Sequence, residues 1–377
     1  MFKLIRGADV YTPEHIGIND ILIAGDKILK IAPHIDFTYE GMEIINAAGK
    51  KAVPGLMDQH VHITGGGGES GMKSRVTELC LGDIIQSGVT TIVGLLGTDS
   101  FTRSVENLVA KAKGLNEEGI TTYCLTGAYE YPSPTLTGRV DKDIAYINEV
   151  IGCKLAISDH RSSHVTRQEL LRLATQVRLG SLIGGKPGVL HMHTGKGKGG
   201  LQDVMAVVEE SNVPIKHFRP THVANCFDDA IAFAKMGGNI DFTSGVETSE
   251  VAKTLAKALE LAPLDKITLS SDSNGSMPIW NEKNELIGMG VGKMDTLYGS
   301  IKALITEQGV DMTTALKLVT ENVAKGLEIY PRKGALLEGS DADVLLLDNK
   351  LDIDSLFAQG KVMMLDKEIK AKSYFGL

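Results

Sequence analysis

Two histidines one residue apart, His60 and His62, follow an apolar stretch that begins at Val53. Side chains alternate between the two faces of a β-strand, so residues at i and i+2 point the same way. The two imidazoles therefore form a chelating pair, and imidazole nitrogen with carboxylate oxygen is a common donor set for catalytic zinc. The pair alone is also compatible with two structural histidines that hydrogen-bond in a core. A metal site requires further donors elsewhere in the chain.

Four glycines, Gly65 to Gly68, follow the histidine pair and lead directly into Glu69. Glycine lets the backbone approach a ligand closely because it has no Cβ atom. A phosphate-binding loop is the competing interpretation, but the Gly-Lys-Ser/Thr sequence that completes such a loop does not follow here. We therefore expect this run to line a binding site beside the histidines.

The composition is typical of a globular enzyme. The chain has 377 residues, of which 43% are hydrophobic and 23% charged, and its net charge is −8. This length predicts two domains or one α/β barrel with an appendage, and the acidic balance argues against a nucleic-acid partner. The start has no secretory pattern and no apolar run reaches the roughly 18 residues of a membrane span, which predicts a cytoplasmic protein without a membrane partner. The four cysteines contain no CxxC pair, which predicts reduced thiols.

The elements that must position these residues alternate in type. Helical stretches such as Val105 to Glu118, which ends before Gly119, are followed by β-branched runs such as Thr121 to Thr126. Counting one strand over Val53 to His60 and a first helix over Thr77 to Gln86, the pattern predicts eight strands and a parallel sheet. Eight units favour a TIM-type (β/α)8 barrel over the alternative, a doubly wound sheet.

The two ends of the chain differ from the middle. Residues 1–53 and 331–377 contain short apolar runs separated by turn residues, with too few strands at either end to bury a face alone. We expect both ends to pair into one small β-sandwich domain beside a catalytic barrel over residues 54–330.

Catalytic residues lie at the C-terminal ends of the strands in a parallel barrel. The polar residues at those predicted ends are His60 and His62 on the first strand, Lys154 on the fourth, His191 or His193 on the fifth, His222 on the sixth and Asp272 on the eighth.

This ordered set resembles the metal site of the amidohydrolase superfamily, and local sequences resemble those of its bacterial isoaspartyl (β-aspartyl) dipeptidases. The matching stretches are PGLMDQHVHITGGGGE at 54–69, GLLGTDS at 94–100, LTGAY at 125–129, AISDHRS at 156–162, GGKPGV at 184–189, PTHV at 220–223 and LSSDSNGS at 269–276. The resemblance covers nearly the whole chain, including the split β domain.

The resemblance implies a centre of two zinc ions. His60 and His62 would hold one ion, and His191 and His222 the second. Lys154 would bridge them after carbamylation by CO₂, because an ammonium group has no lone pair for a metal.

The resemblance also implies catalytic roles around a metal-bridging hydroxide. Asp272 would contact one metal and act as the general base, and Tyr129 would donate a hydrogen bond to the developing oxyanion. His193 shares a strand face with His191 and is the alternative ligand on the fifth strand.

For substrate binding, the resemblance assigns the free α-amino group of a β-aspartyl dipeptide to Glu69. Arg161, by a bidentate pair, and Ser276 would bind the aspartyl carboxylate, with Gly67 and Gly68 lining the same pocket. Asn225 stands where the family has an arginine for the second carboxylate, and an amide cannot form that charged fork.

Three functions remain open at this point. The first is a dizinc β-aspartyl dipeptidase that cleaves the isopeptide bond of isoaspartyl dipeptides. The second is a cyclic-amide or N-acyl amidohydrolase of the dihydroorotase or hydantoinase type, which Asn225 keeps open. The third is a catalytically silent scaffold, although such a protein has no need for Lys154 and Asp272 at strand ends. The resemblance also implies a homo-oligomer.

Overall fold

The computed structural model describes residues 2–280 and 286–374 of the chain. The N-terminal part forms five strands: β1 (Phe2–Tyr11), β2 (His15–Ala24), β3 (Lys27–Ala32), β4 (Glu43–Asn46) and β5 (Lys51–Pro54). Strands β2 and β3 are antiparallel, with Ala24 opposite Lys27, and Gly25 lies in the turn between them.

The middle of the chain forms a parallel barrel. Its strands are β6 (Leu56–Val61), β7 (Val89–Gly94), β8 (Thr121–Gly127), β9 (Val150–Ile157), β10 (Val189–Thr194), β11 (Phe218–Thr221), β12 (Ile240–Thr243) and β13 (Ile267–Ser270). Neighbouring strands pair in chain order. The first and last strands meet where His62 N donates to the carbonyl of Ser273 at 2.9 Å. The predicted barrel is confirmed, and the doubly wound alternative is wrong.

Helices cover the outside of this barrel. They are α1 (Leu81–Gln86), α2 (Val105–Glu118), α3 (Val140–Tyr146), α4 (Arg167–Gly184), α5 (Gln202–Glu210), α6 (Phe227–Lys235), α7 (Thr248–Leu261), α8 (Asp295–Thr306), α9 (Met312–Lys317) and α10 (Glu321–Gly326). Within residues 2–280 and 286–374, no helix has both the length and the apolar character needed to cross a membrane.

Local signals explain both ends of α2. Ser104 accepts a hydrogen bond from Asn107 N at the start of α2, and Gly119 ends that helix with a left-handed φ of 106°. The first predicted helix is too long, because α1 starts only at Leu81. Residues before it are held in another conformation, with Leu79 N donating to the carbonyl of Ile63.

Six further strands complete the chain. They are β14 (Ser276–Trp280), β15 (Leu286–Val291), β16 (Val344–Leu347), β17 (Ile353–Ala358), β18 (Lys361–Leu365) and β19 (Glu368–Ile369). Strands β14 and β15 form an antiparallel hairpin after the last barrel strand, an addition to the predicted elements. Strands β16 to β19 join β1 to β5 in one nine-stranded sheet, so the predicted small β domain from both ends is confirmed.

The prediction of a single strand from Val53 to His60 is wrong. Val53 pairs with Leu345 of β16 in the nine-stranded sheet, whereas Leu56 begins the first strand of the barrel. The change occurs at Gly55, where a Cβ atom would lie 2.4 Å from Oγ1 of Thr90. The domain boundaries at residues 53 and 330 stay predictions.

Candidate active site

Three potential metal donors converge where the barrel closes. His60 and His62 come from the end of β6, and Asp272 follows β13. Oδ1 of Asp272 lies 3.2 Å from Nε2 of His60 and 3.1 Å from Nε2 of His62. The predicted histidine pair on the first barrel strand therefore faces a carboxylate that follows the last one, because closure of the barrel brings these two strands together.

His222 joins this cluster from the end of β11. Its ring centroid lies 4.9 Å from that of His60, and its Nδ1 is paired with Oγ1 of Thr243 at 2.6 Å. The other ring nitrogen, Nε2, is thereby left as the donor atom toward the cluster. Both His222 and Asp272 have left-handed backbone conformations, with φ of 58° and 54°. Such conformations are costly for non-glycine residues and concentrate at functional sites.

Lys154 lies on β9 and is completely buried. Its Nζ is 3.5 Å from Nε2 of His60, and burial lowers the pKa of the amine from 10.5 to about 7. A buried lysine with so low a pKa has a substantial neutral fraction at physiological pH. A neutral amine is the form that can add CO₂, which agrees with the expected carbamate.

The two histidines of β10 occupy different levels. His191 is paired with Lys154 in the strand register, and its Nε2 lies 2.9 Å from Nδ1 of His60. His193 is one step closer to the barrel mouth, where its ring centroid is 4.5 Å from that of His222.

His60, His191 and His222 are uncharged. Burial lowers the pKa of His60 to about 3 and lowers the pKa of His191 and of His222 well below the usual value. Burial raises the pKa of Asp272, but the close approach of the His60 and His62 rings outweighs it and holds this pKa well below its usual value, so the carboxyl stays ionised. Neutral imidazoles and an ionised carboxylate are the protonation states that bind a divalent cation.

The donor set fits a metal centre. Nδ1 of His62 and Oδ1 of Asp272 are buried and have no hydrogen-bond partner, although polar atoms so deeply buried are almost always paired. Donor atoms of His60, His222 and Asp272 lie within 4.8 Å of one another. Imidazole nitrogen with carboxylate oxygen is a donor combination that zinc accepts.

Tyr129 lies at the mouth beside these donors. Its hydroxyl is 2.7 Å from Nδ1 of His193, whose Nε2 is 2.8 Å from Oδ2 of Asp159. Burial raises the pKa of Tyr129 well above its usual value, so the phenol keeps its proton and remains a donor. Nζ of Lys154 is 5.7 Å from the centre of the Tyr129 ring.

A second polar group surrounds Glu69. Its Oε1 accepts hydrogen bonds from Ser276 at 2.9 Å, from Thr98 at 3.3 Å and from Nη1 of Arg161 at 3.3 Å. The three predicted residues of this group are therefore together in the structure. Thr98 was not singled out from the sequence, although it lies in the GLLGTDS stretch.

Arg161 connects this group to the histidines. Asp159 binds its guanidinium through two hydrogen bonds of 2.9 Å, and Nη2 also lies 3.4 Å from Nε2 of His193. Burial raises the pKa of Asp159, but the hydrogen bonds from Arg161 and His193 outweigh it and hold this pKa below its usual value. Asp159 was not predicted either, because its role depends on its contact with His193 of β10, which is distant in the sequence.

The glycines before Glu69 are required by close packing. Gly67 and Gly68 have φ of 82° and 100°, and a Cβ atom on Gly67 would lie 2.2 Å from the carbonyl oxygen of Ser74. Both conformations are accessible to glycine at little cost. The backbone can thus follow a path to Glu69 that a larger residue would block.

Asn225 lies on the opposite side, next to the end of β10. It is exposed, and its Nδ2 donates to the carbonyl of Thr194 at 2.9 Å. The adjoining loop carries Lys196 and Lys198, which are both exposed.

Residues 52–363 match the profile described as the amidohydrolase family. This chain belongs to the amidohydrolase family. A solved β-aspartyl dipeptidase from Fervidobacterium islandicum AW-1, in complex with the β-Asp-Leu dipeptide, is 39% identical to this amidohydrolase, with a TM-score of 0.92. The match covers 98% of this chain and 99% of that one. The expected resemblance and the expected hydrolytic class are confirmed.

More distant relatives show the range of the family. An adenine deaminase of Mesorhizobium japonicum is 24% identical over 98% of this amidohydrolase, which spans only 58% of that relative's length. An L-hydantoinase of Paenarthrobacter aurescens is 22% identical, and the match covers 93% of this chain and 86% of the hydantoinase. A solved dihydropyrimidinase of Brevibacillus agri is 16% identical, with a TM-score of 0.68 over 98% of this chain and 96% of that one, and shares the fold.

Proposed function

We propose that this amidohydrolase is a dizinc β-aspartyl dipeptidase, which hydrolyses the isopeptide bond of isoaspartyl dipeptides. One observation carries the proposal: a carboxylate suited to an ammonium group, Glu69, lies beside the metal donors. Arg161 makes the connection, since it is 3.3 Å from Glu69 and 3.4 Å from His193. The likeness to the solved β-aspartyl dipeptidase supports this choice of substrate.

The proposed metal centre uses His60, His62, His222, Asp272 and carbamylated Lys154. When bound, two zinc ions supply hydroxide near neutral pH and polarise the scissile carbonyl. In its neutral form the buried amine of Lys154 would add CO₂ and release one proton, giving a carbamate whose anionic oxygen atoms would serve as ligands. The orphaned Oδ1 of Asp272 would gain a partner in this arrangement.

The ligand from β10 is the open choice in this centre. His191 is the predicted ligand and His193 the alternative. Nε2 of His60 faces Asp272 at 3.2 Å, whereas Nε2 of His191 approaches the other ring nitrogen of His60, Nδ1. His193 packs against His222 at the mouth. Both ring nitrogens of His193 are paired, Nδ1 with Tyr129 and Nε2 with Asp159, so His193 would bind zinc beside His222 only after one of these contacts is given up. In that case His191 would orient the ring of His60.

Asp272 and Tyr129 carry the proton and charge steps in this proposal. Asp272 is ionised, so it can accept a proton from the attacking water and deliver it to the leaving amine. Tyr129 keeps its proton and donates to the oxygen of the scissile carbonyl as negative charge develops there.

The aspartyl half of the substrate is assigned to the Glu69 group. Glu69 would bind the α-ammonium, and Arg161 with Ser276 the α-carboxylate, while Gly67 and Gly68 give the backbone room beside the ligand. Arg161 already shares its charge with Asp159, so substrate must compete for its remaining donor, Nη1. Asn225 would offer the leaving residue an amide in place of a cation.

The direct test is to incubate purified protein, loaded with zinc and bicarbonate, with β-Asp-Leu and to measure the release of leucine. Release of leucine supports the proposal. Hydrolysis of a hydantoin without any cleavage of β-Asp-Leu would favour the cyclic-amide alternative. Absence of bound zinc, together with unchanged folding of Lys154→Ala, would instead favour the silent scaffold. The cytoplasmic location and the homo-oligomeric state also remain proposals, and size-exclusion chromatography with light scattering tests the latter.

A further inference from the structure

A buried arginine outside the donor cluster holds the loop that leads to Glu69. Arg103 precedes α2 and is only 5% exposed. Its Nη1 donates to the carbonyl of Thr64, and its Nη2 donates to the carbonyls of Gly66 at 3.2 Å and Val76 at 2.6 Å. One guanidinium thus joins both sides of the glycine loop.

The absence of a carboxylate partner makes this arrangement unusual. In the described part of the chain, Arg103 forms no ion pair within 4.0 Å, and its Nε is buried without a hydrogen-bond partner. Burying a cation in this way costs free energy that a neutral packing residue would avoid. The planar fork can satisfy several carbonyls at once, which a single ammonium cannot do in the same geometry.

Backbone hydrogen bonds also restrain the loop, since Gly65 N donates to the carbonyl of His62 at 2.7 Å and Gly68 N to that of Ser74 at 3.3 Å. Val76 N donates to the carbonyl of Gly66 at 3.0 Å, and Gly66 N donates to the carbonyl of Asn274 at 2.8 Å. The four glycines have no side chains with which to pack, so backbone hydrogen bonds must define their path. Glu69 follows this run directly, so the carbonyls that Arg103 binds fix the path of its backbone, while Ser276, Thr98 and Arg161 contact its carboxylate.

We propose that Arg103 is a positioning residue that fixes the glycine loop and thereby places the Glu69 carboxylate for the substrate ammonium. This inference rests on the proposed β-aspartyl dipeptidase function for the identity of the ammonium group. Arg103 acts through Glu69 and contacts no reacting atom.

The first test needs no activity. Hydrogen exchange is measured in wild type, Arg103→Met, Arg103→Lys and the control Arg167→Met. Arg167 is an exposed residue of α4 that is paired with Asp203 of α5. We expect at least tenfold faster exchange of the amides in residues 65–79 in Arg103→Met, an intermediate effect in Arg103→Lys, and unchanged exchange in the rest of the barrel. Unchanged exchange in residues 65–79, or an increase spread evenly over the barrel, would overturn the proposal.

The second test measures discrimination. N-succinyl-leucine is β-Asp-Leu without the α-amino group, so the ratio of kcat/KM values for the two compounds reports on ammonium recognition. We expect this ratio to fall at least tenfold in Arg103→Met. The double variant with Glu69→Gln should have the same ratio as Glu69→Gln alone, because both changes act on one interaction. Equal losses on both compounds would contradict the proposal. If wild type cleaves neither compound, the proposed function has failed, and the exchange measurement still decides the role of Arg103.

Discussion

Nε2 of His191 lies 2.9 Å from Nδ1 of His60, on the side of the His60 ring opposite the atom that faces Asp272. A histidine that binds metal through one ring nitrogen usually has its other nitrogen held by a hydrogen bond, which fixes the ring orientation. In the proposed centre with His193 as a ligand, β10 would both supply one ligand and orient another.

The two β10 histidines are predicted to differ in zinc content when replaced. We expect His193→Gln to lower bound zinc from two ions to about one per chain, because His193 packs against His222 at the mouth. His191→Gln should retain both ions but bind them about 10-fold to 100-fold more weakly, the usual cost of a lost outer partner. Zinc per chain is measured by mass spectrometry after dialysis against graded chelator. Loss of one full ion in His191→Gln alone would restore His191 as the ligand.

Lys154 is predicted to reduce the stability of the metal-free protein in a pH-dependent way. The pKa of Lys154 is about 7 in the folded protein, against 10.5 for an exposed lysine. The free-energy cost of burying the charged amine is therefore complete below pH 7 and decreases as the pH rises toward 10.5. With chelator present, Lys154→Met should be more stable than wild type at pH 6 by about 2 kcal/mol or more. The difference should shrink at pH 9.

Urea unfolding at both pH values measures this difference, and Lys196→Met, in an exposed loop, is the control. A stability difference that is the same at pH 6 and pH 9 would contradict the low pKa of Lys154.

Tyr129 is predicted to act on the transition state more than on binding. Tyr129→Phe removes only the hydroxyl, which lies 2.7 Å from Nδ1 of His193. We expect kcat for β-Asp-Leu to fall about 100-fold with KM changed less than about threefold, as for loss of one oxyanion donor. Tyr131→Phe, two residues along the same loop, is the control. A rise in KM with unchanged kcat would assign Tyr129 to ground-state binding instead.

Glu69 is predicted to recognise the α-ammonium by charge. Glu69→Gln can keep the contacts with Ser276 and Thr98 but loses the negative charge. We expect kcat/KM for β-Asp-Leu to fall about 10-fold to 100-fold, the value of one charged hydrogen bond, while N-succinyl-leucine is unaffected. Steady-state kinetics on both compounds measures this, with Glu130→Gln as the control because that carboxylate binds Ser100 in a neighbouring loop. An equal loss on both compounds would show that Glu69 has a structural role.

The barrel and the donor cluster were predictable because both depend on local pattern. The alternation of helices and strands determines a parallel sheet, and a closed parallel sheet brings His60, Lys154, His222 and Asp272 to one end. Membership of the amidohydrolase family and the eight-stranded barrel agree with that reasoning.

The missed features all depend on contacts between distant segments. The break at Gly55 follows from the approach of Thr90, and the importance of Asp159 follows from a loop contact with His193. Arg103 looks like an ordinary charged loop residue in the sequence, and only the fold shows that it is buried among carbonyls. The β14–β15 hairpin is the exception, because Ile287, Met289 and Val291 alternate with glycines in the sequence and this period of two indicates a strand.

The pairing of β5 with β16 has a consequence for synthesis on the ribosome. Val53 and Leu345 are partners, yet nearly the entire barrel is translated between them. Until β16 emerges, one edge of β5 has unpaired backbone groups. The apolar side chains of β1 to β5 also lack their contacts with later core residues such as Val344, Leu346 and Phe357. The nascent protein therefore carries an open, association-prone strand edge for most of its elongation, and chains that terminate before residue 344 retain it permanently.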